Sequence, residues 1–190
     1  GDIETCSEYI EEAKRIGFSI LPPDVNESFS DFTVVVEDGE VTKKIRFGLR
    51  NIKNFGEEIG KAIIEERKLH GKFESIEAFL ERIQHRNLNK KSMEALIMCG
   101  AFDSLGERGQ LLASLEALLQ FNKEVKQGDA SQGSLFDLLG GGPQNTLSLK
   151  ESAPAQLKQK LVWEKELLGL YISGHPLDEY AAQLKKAPTT

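Results

Sequence analysis

The decisive stretch of this chain reads LRNIKNFGEEIGKAII and occupies residues 49–64. Its pattern predicts a short helix, a tight turn at Asn54-Phe55-Gly56, and a second helix that begins near Glu57. Left-handed backbone is open to glycine and, at small cost, to asparagine, so Asn54 and Gly56 suit such a turn. The stretch therefore predicts two helices joined by a compact hairpin.

The start of the second helix is a candidate phosphate site. Its first amides lack intrahelical acceptors and carry the positive end of the helix dipole, an arrangement that favours anions. Lys53 and Lys61 flank the turn and add charge. Such a contact reads the DNA backbone and not the bases. The alternative is an ordinary corner between two helices whose lysines lie on a solvated face.

The spacing around the turn resembles the helix-hairpin-helix motif, which runs apolar-x-Gly-apolar-Gly, then a small residue and an aliphatic one. The matching positions are Ile52, Asn54, Phe55, Gly56, Gly60 and Ile63. Asn54 stands where the motif has glycine, and Gly60 where it usually has alanine. The candidate contacts with the DNA backbone in this hairpin are Lys53, Asn54, Phe55, Gly56 and Lys61.

A second helical hairpin is predicted within residues 73–97, with its turn at Arg86-Asn87-Leu88-Asn89. Asn89 is suited to cap the following helix. Lys90 and Lys91 fall in the first turn of that helix, where the dipole disfavours cations unless an anion binds there. Asn89, Lys90 and Lys91 therefore join the candidate contacts with the DNA backbone.

The flanking patterns predict a mainly α fold. A helix over 5–16, with Tyr9, Ile10, Ala13 and Ile16 near one face, precedes an extended, exposed turn over 18–26 and a β-hairpin around Asp38-Gly39. The predicted organisation is 1–47 with the β-hairpin, 48–106 as the tandem hairpin module, 107–126 as a helix, 127–155 as a flexible linker, 156–180 as a helical segment and 181–190 as a tail.

The tract 127–155 is rich in Gly, Gln, Ser, Asn and Pro, which is typical of a flexible linker. It contains the apolar pair Leu135-Phe136, which cannot fold alone. Two interpretations remain open: the pair folds back on the body, or it fills a hydrophobic groove of a partner while Gln132 makes a polar contact. The pattern resembles the Gln-x-Ser-Leu-Phe peptides that dock on bacterial sliding clamps. The matching residues are Gln132, Ser134, Leu135 and Phe136.

Charge is unevenly distributed along this acidic chain, whose net charge is −6. Residues 41–72 hold nine basic and four acidic side chains, and residues 82–91 hold four basic and no acidic ones. Two basic islands in an acidic chain favour a local phosphate contact inside a larger assembly. They argue against a general nucleic-acid coat protein.

Several classes of protein are disfavoured by the composition. There is no apolar run near the ~20 residues that cross a membrane and no visible secretory signal. Cys6 and Cys99 are distant in sequence, which favours reduced thiols in a cytosolic protein. The chain starts Gly1-Asp2 without an initiator methionine, so we expect a fragment of a longer protein.

Four blocks in order resemble the alpha subunits of bacterial DNA polymerase III, the C-family replicative polymerases. The blocks are LPPDVNES at 21–28, IRFGL at 45–49 with Ile52-Lys53, NKKSMEALIMCGAFD at 89–103, and LGLYISGHPLDEY at 168–180. The resemblance implies a piece that runs from the end of the fingers domain through the tandem hairpins into the clamp-binding region.

The resemblance also implies partners and absences. Expected partners are double-stranded DNA, the sliding clamp (beta subunit) and other holoenzyme subunits, in the cytoplasm and without a membrane. The parent would be a DNA-directed DNA polymerase whose Mg²⁺-binding aspartates lie in the palm domain. Two-metal catalysis needs clustered carboxylates, and the aspartates here are scattered. We therefore expect no catalytic residue, metal or cofactor in this piece, and no activity from it alone.

Two other classes of function stay open. One is the helix-hairpin-helix module of an unrelated DNA repair factor, and the other is a helical protein-interaction module without DNA contact. The blocks at 21–28 and 168–180 favour the polymerase, because a generic hairpin module does not require them.

Overall fold

A computed structural model describes residues 3–130, 147–174 and 176. Its elements are α1 (Ile3–Arg15), β1 (Ser19–Leu21), β2 (Thr33–Glu37), β3 (Glu40–Arg46), a 3₁₀ helix (Leu49–Asn51), α2 (Glu57–His70), α3 (Ile76–Arg82), α4 (Lys90–Met98), α5 (Arg108–Ala113), α6 (Leu115–Ala130) and α7 (Leu157–Leu168). The predicted mainly α fold with a short β-hairpin is confirmed. No helix in this part of the chain is both long and apolar enough to span a membrane.

The small sheet has the strand order β1-β3-β2. Strands β2 and β3 are antiparallel, and the turn between them places Asp38 and Gly39 at φ 52° and 81°. Two successive left-handed residues suit the right-handed twist of a hairpin. The predicted hairpin is therefore confirmed. Strand β1, which lies within the predicted turn, pairs in parallel with β3.

The segment after β1 is not the exposed turn that its two prolines predict. Pro23, Val25 and Ser28 are buried. The side chain of Asn26 forms a pair of hydrogen bonds with Phe73, donating Nδ2 to the carbonyl over 2.9 Å and accepting the amide over 2.8 Å. The prediction of exposure is wrong because this extended segment satisfies its polar groups against residues far along the chain.

Helix α1 ends near Gly17, whose φ is 96°. The predicted apolar face holds for Ile10, which is buried, but Tyr9 and Ile16 are 72% and 55% exposed. That prediction is wrong at Tyr9 because α1 packs on β1, a strand of three residues that covers only a narrow strip of the helix. It is wrong at Ile16 because α1 already ends at Arg15.

The core lies beneath both helical hairpins. Phe79 packs edge-on against Phe73 and Phe102, with ring centroids 5.1 and 4.8 Å apart. Helix α4 packs against α5, α6 and α7. Edge-to-face aromatic pairs add about 0.5–1.5 kcal/mol each beyond their buried area, so the cluster joins α3 to the segment before it and to the segment after α4.

The predicted helix over 107–126 is two helices. The break falls at Ser114, a buried residue whose Oγ accepts the amide of Lys150 over 2.8 Å. A serine hydroxyl that bonds to backbone can interrupt a helix. The apolar pattern of the sequence does not indicate this break, because the amide that bonds to Ser114 lies 36 positions away.

The tract 127–155 differs from the predicted flexible linker at both described ends. Helix α6 continues to Ala130. Leu147 and Leu149 pack against the core, and the Ala155 amide donates to Glu107 Oε1 over 2.9 Å. The candidate clamp contacts lie outside the described residues; they are Gln132, Ser134, Leu135 and Phe136.

Helix α7 closes the body against the first hairpin. It ends at Gly169, whose left-handed backbone (φ 78°) is a common helix terminus. Leu167 and Leu168 enter the core, and the Leu167 carbonyl accepts the amide of Lys53 over 2.9 Å. The end of α7 thus supports the turn that precedes α2.

Candidate nucleic-acid interface

The first hairpin consists of the 3₁₀ helix Leu49–Asn51, a turn and helix α2. Asn54 adopts the predicted left-handed backbone, with φ 66°. Gly56 does not: its φ and ψ are −81° and 144°, and it forms the N-cap of α2. That part of the turn prediction is wrong because one left-handed residue suffices to reverse the chain, and an N-cap residue is ordinarily extended.

The start of α2 is open. Gly56 has no side chain to cap the helix, and a β-carbon built there meets nothing within 4 Å. Within the described chain, the amides of Asn54 and Gly56 donate no hydrogen bond, and both residues are exposed. The amides of Glu57 and Glu58 lead the helix and lack intrahelical acceptors. In the described chain four donors around this turn, the amides of Asn54, Gly56, Glu57 and Glu58, therefore have no acceptor, whereas the Phe55 amide between them bonds to the Ile52 carbonyl over 3.3 Å. An anion site requires such unpaired donors.

The other members of this predicted site have different surroundings. Phe55 is 7% exposed and packs over Gly60, so its side chain supports the hairpin from inside. The Lys53 side chain is exposed and has no carboxylate within ion-pair distance in the described ranges. Its amide is used by Leu167, so only its ammonium group is available to a ligand.

Two carboxylates lie beside the open amides. Glu57 and Glu58 are exposed, and their oxygens lie 2.9 and 3.6 Å from Lys61 Nζ. The hydrogen bond from Lys61 lowers the pKa of Glu57. These carboxylates interact favourably with the helix dipole, but they also repel a phosphate. Their negative charge offsets the positive charge of Lys61, so Lys53 is the lysine of this hairpin that is more available to a phosphate.

The second hairpin joins α3 to α4, and the start of α4 is capped by a side chain. Asn89 caps α4, as predicted: its side chain accepts the Ser92 amide over 3.2 Å, and Ser92 Oγ accepts the Asn89 amide over 2.9 Å. Lys90 and Lys91 are exposed in the first turn. Lys90 Nζ lies 4.0 Å from a Glu116 oxygen. The capping box occupies the amides of Asn89 and Ser92 but leaves those of Lys90 and Lys91 without intrahelical acceptors. This hairpin therefore presents two cationic side chains beside two amides.

A buried ionic cluster fixes the body that carries both hairpins. Arg108 is 2% exposed and binds Asp103 through two nitrogens, at 2.9 and 2.7 Å. It also donates to the Met98 carbonyl at the end of α4 and to Glu164 of α7. The sequence offers no signal for this cluster, because its members follow no spacing that any motif requires.

Glu164 organises the segment after α7. It is fully buried, and its Oε2 accepts the amides of Ile172 and Ser173, both over 2.9 Å. Burial raises the pKa of Glu164, but the hydrogen bonds from Ser173, Ile172 and Arg108 outweigh it and hold the pKa below its usual range.

No described group of three His, Cys, Asp or Glu side chains is placed to share a metal ion.

Comparison with known proteins shows the family to which this chain belongs. The family model described as a helix-hairpin-helix motif matches residues 17–111, half of the chain, and this range contains both hairpins. The chain belongs to this helix-hairpin-helix family.

The relatives that it matches bear the name DNA polymerase III subunit alpha, which confirms the resemblance seen in the sequence. The chain is 40% identical over 190 residues to DNA polymerase III subunit alpha of Thermus aquaticus, covering all of this chain and 15% of that protein. The subunit alpha of Aquifex aeolicus is 43% identical over 181 residues, covering 95% and 14%. That of Helicobacter pylori strain 26695 is 38% identical over 192 residues, covering 96% and 16%. The chain thus spans about one seventh of the length of these relatives.

Proposed function

We propose that this chain grips the backbone of duplex DNA for a bacterial replicative polymerase, through the first hairpin above all. The observation that carries the proposal is the open start of α2. There the left-handed Asn54 and the side-chain-free Gly56 leave exposed amides without acceptors. Amides at a helix start bind phosphate oxygens through hydrogen bonds and the dipole together.

The strength of this contact follows from the charges around it. Lys53 adds an ammonium group that has no carboxylate partner among the described residues, whereas Glu57 and Glu58 oppose the phosphate. We therefore expect weak binding that depends on salt and not on base sequence. Weak contacts suffice in a polymerase that must move along its substrate.

The second hairpin contributes in a different way. With the amides of Asn89 and Ser92 used by the cap, phosphate contact falls to the exposed ammonium groups of Lys90 and Lys91, to the backbone amides of these two lysines and to the side-chain amide of Asn89. Lysine is a flexible point charge rather than a fixed cradle. The first hairpin would then fix the position of a phosphate, and the second would add attraction.

The tract QGSLF at 132–136 is proposed to tether the parent polymerase to the sliding clamp. The support is the sequence pattern: an apolar pair with a leading glutamine in a tract rich in Gly, Gln and Ser. A tether raises the effective concentration of the polymerase at the primer end, so a modest affinity yields processive synthesis. Nucleotidyl transfer itself, with its Mg²⁺ ions, is assigned to the palm domain of the parent protein.

The duplex grip is tested by fluorescence anisotropy of a labelled blunt duplex, titrated with this chain at several salt concentrations. We expect Lys53→Glu to weaken binding several-fold and to reduce the slope of log K against log salt by about 1. The matched control is Lys123→Glu, an equal charge change at an exposed position of α6. Equal loss in both variants would assign the attraction to net charge, and tight binding that ignores salt would overturn the proposal.

The tether is tested by binding this chain to a purified bacterial sliding clamp. The double variant Leu135→Ala/Phe136→Ala should abolish binding. The control Leu157→Ala/Val162→Ala removes two apolar side chains that are 41% and 57% exposed on α7, and it should leave binding unchanged. Unchanged binding by the Leu135/Phe136 variant, or no binding by the parent chain, would reject the tether and leave the duplex grip standing.

A further inference from the structure

An exposed aromatic ring lies among basic side chains beside the first hairpin. Phe29 is 44% exposed. The Arg67 guanidinium carbon and Lys68 Nζ lie 5.5 and 5.7 Å from the centre of its ring. Both cations belong to the last turns of α2. Cations at this distance from an aromatic ring are attracted to its π face.

The backbone that carries this ring is locked to the first hairpin. The Phe29 carbonyl accepts the amide of Leu49 over 2.9 Å, and the Ser30 carbonyl accepts the amide of Arg50 over 3.1 Å. The approach is so close that a β-carbon at Gly48 would lie 2.4 Å from the Asp31 carbonyl carbon. The backbone that carries the ring is therefore fixed relative to the first hairpin.

The cations near the ring keep their charge. Arg67 donates to the carbonyls of Val25 and Ser28, over 2.7 and 2.9 Å, and those neutral acceptors fix its position without cancelling its charge. In the part of the chain that the structure describes, neither Arg67 nor Lys68 has a carboxylate within ion-pair distance.

Two of the acidic residues on the segment that carries the ring already have a cationic partner. Glu27 pairs with Lys72, and Asp31 lies 3.2 Å from Arg50. Glu27 and Asp24 act on Arg67 only through their fields. Within the described chain, the two cations closest to the ring, Arg67 and Lys68, have no ion-pair partner. This balance favours an anionic ligand with an aromatic part over an apolar protein surface.

We propose that Phe29 stacks on an unpaired base of single-stranded DNA while Lys68 contacts an adjacent phosphate. Bases stack on aromatic side chains with little regard to sequence, because every base has a π face, and basic groups track the backbone between them. The site extends the proposed duplex grip, but its base stacking is independent of the Lys53 contact.

The two sites are spaced along α2. Residues Glu57 and Lys68 are eleven positions apart on the helix, which corresponds to about 16 Å. At roughly 3.4 Å per stacked nucleotide, a strand whose phosphate lies at the start of α2 reaches Phe29 about five nucleotides further on. The ligand that engages both sites is therefore a duplex with a single-stranded overhang.

The stacking is tested directly with Phe29→Trp, which places a reporter in the ring position. The native Trp163 is 7% exposed and supplies the background measured in the parent chain. A twelve-nucleotide oligo(dT) should quench the new tryptophan, and an abasic strand with the same number of phosphates should not. The control Val162→Trp, at an exposed site on α7, should respond to neither strand. Equal quenching by oligo(dT) and the abasic strand would contradict base stacking.

Affinity provides the second measurement. Phe29→Leu keeps an apolar side chain but removes the ring, and Phe29→Ala removes both. We expect each to weaken binding of oligo(dT), and of a duplex with a ten-nucleotide overhang, roughly 5- to 100-fold, with blunt-duplex binding unchanged. Undiminished oligo(dT) binding by Phe29→Leu would overturn the inference, as would no binding of oligo(dT) by the parent chain. In either case an effect of Lys53→Glu on blunt duplex would still support the duplex grip.

Discussion

Arg108 and Glu164 lie 56 positions apart in the chain and meet in its interior, where Arg108 Nη1 donates to Glu164 Oε1 over 3.0 Å. Arg108 is 2% exposed and Glu164 is fully buried. The pair ties α5 to α7, and through Asp103 and the Met98 carbonyl it reaches the end of α4. The helix that supports the first hairpin is thereby joined to α4, the second helix of the other hairpin.

Breaking this pair should destabilise the protein strongly. Removing one partner of a buried ion pair leaves the other charge uncompensated, at a typical cost of 3–5 kcal/mol. We expect Glu164→Ala to lower the free energy of unfolding by about that amount in urea titrations, whereas Glu166→Ala, on the exposed side of α7, changes it by less than about 0.5 kcal/mol. The double variant Arg108→Ala/Glu164→Ala should cost less than the sum of the single variants. Strict additivity would contradict coupling between the two residues.

The Glu164 carboxylate also makes the free energy of unfolding depend on pH. The pKa of Glu164 is held below its usual range by hydrogen bonds from Ser173, Ile172 and Arg108, despite the opposing effect of burial. A lowered folded-state pKa stabilises the protein above the unfolded pKa, about 4.3, and this stabilisation is lost as pH falls towards the folded value. We expect the free energy of unfolding to drop below about pH 4.5. In Glu164→Gln the drop should be shallower, and an identical pH profile in the two proteins would exclude Glu164 as its source.

Gly100 is required by the position of Arg108. Its φ is 87°, and a β-carbon there would lie 2.2 Å from Arg108 Nη2 and 2.8 Å from Asp103 Oδ2. Gly100→Ala should therefore cost more than the ~1–2 kcal/mol of left-handed backbone alone. Gly17→Ala is the matched control, because Gly17 has φ 96° but open space around it. Thermal unfolding of both variants should show the larger loss for Gly100→Ala, and equal losses would contradict the packing argument.

Asn54 can be replaced by the residue that the hairpin motif normally carries. At φ 66° glycine meets no steric penalty, so Asn54→Gly should leave stability within about 0.5 kcal/mol and preserve DNA binding. Asn54→Val places a β-branched side chain in the left-handed region and should cost about 1–2 kcal/mol. Chemical denaturation together with duplex anisotropy distinguishes the two. A greater loss in Asn54→Gly than in Asn54→Val would show that the asparagine side chain has a further role.

Cys99 should resist thiol reagents in the folded protein. It is fully buried, and burial raises the pKa of its thiol to about 12. The thiolate is the reactive form, so in a Cys6→Ser background we expect labelling at pH 8 to follow global unfolding. The measurement is the rate of reaction with a chromogenic disulfide, with and without urea. Rapid labelling without denaturant would mean that the α4 end opens locally.

Local chemistry made several features predictable from sequence. The left-handed Asn54, the Asp38-Gly39 turn and the Asn89 cap each depend on the preference of one or two residues for a particular backbone conformation. These preferences act over four or five positions, so they survive without knowledge of the rest of the chain. The order of sequence blocks likewise located both hairpins.

Tertiary structure decided what depends on distant partners. Strand β1 forms because β3 lies beside it, Ser114 interrupts a helix because Lys150 reaches its hydroxyl, and Glu164 is buried because Arg108 meets it. The charged surroundings of the Phe29 ring likewise come from Arg67 and Lys68, which lie almost forty positions further along the chain. The sequence alone determined the Asp38-Gly39 turn, the left-handed Asn54 and the Asn89 cap, because local conformational preference suffices for them, and its ordered blocks indicated the family. Only the folded chain determined its buried ion pair and its exposed aromatic surface, because those arise from contacts that loop closure must first bring together.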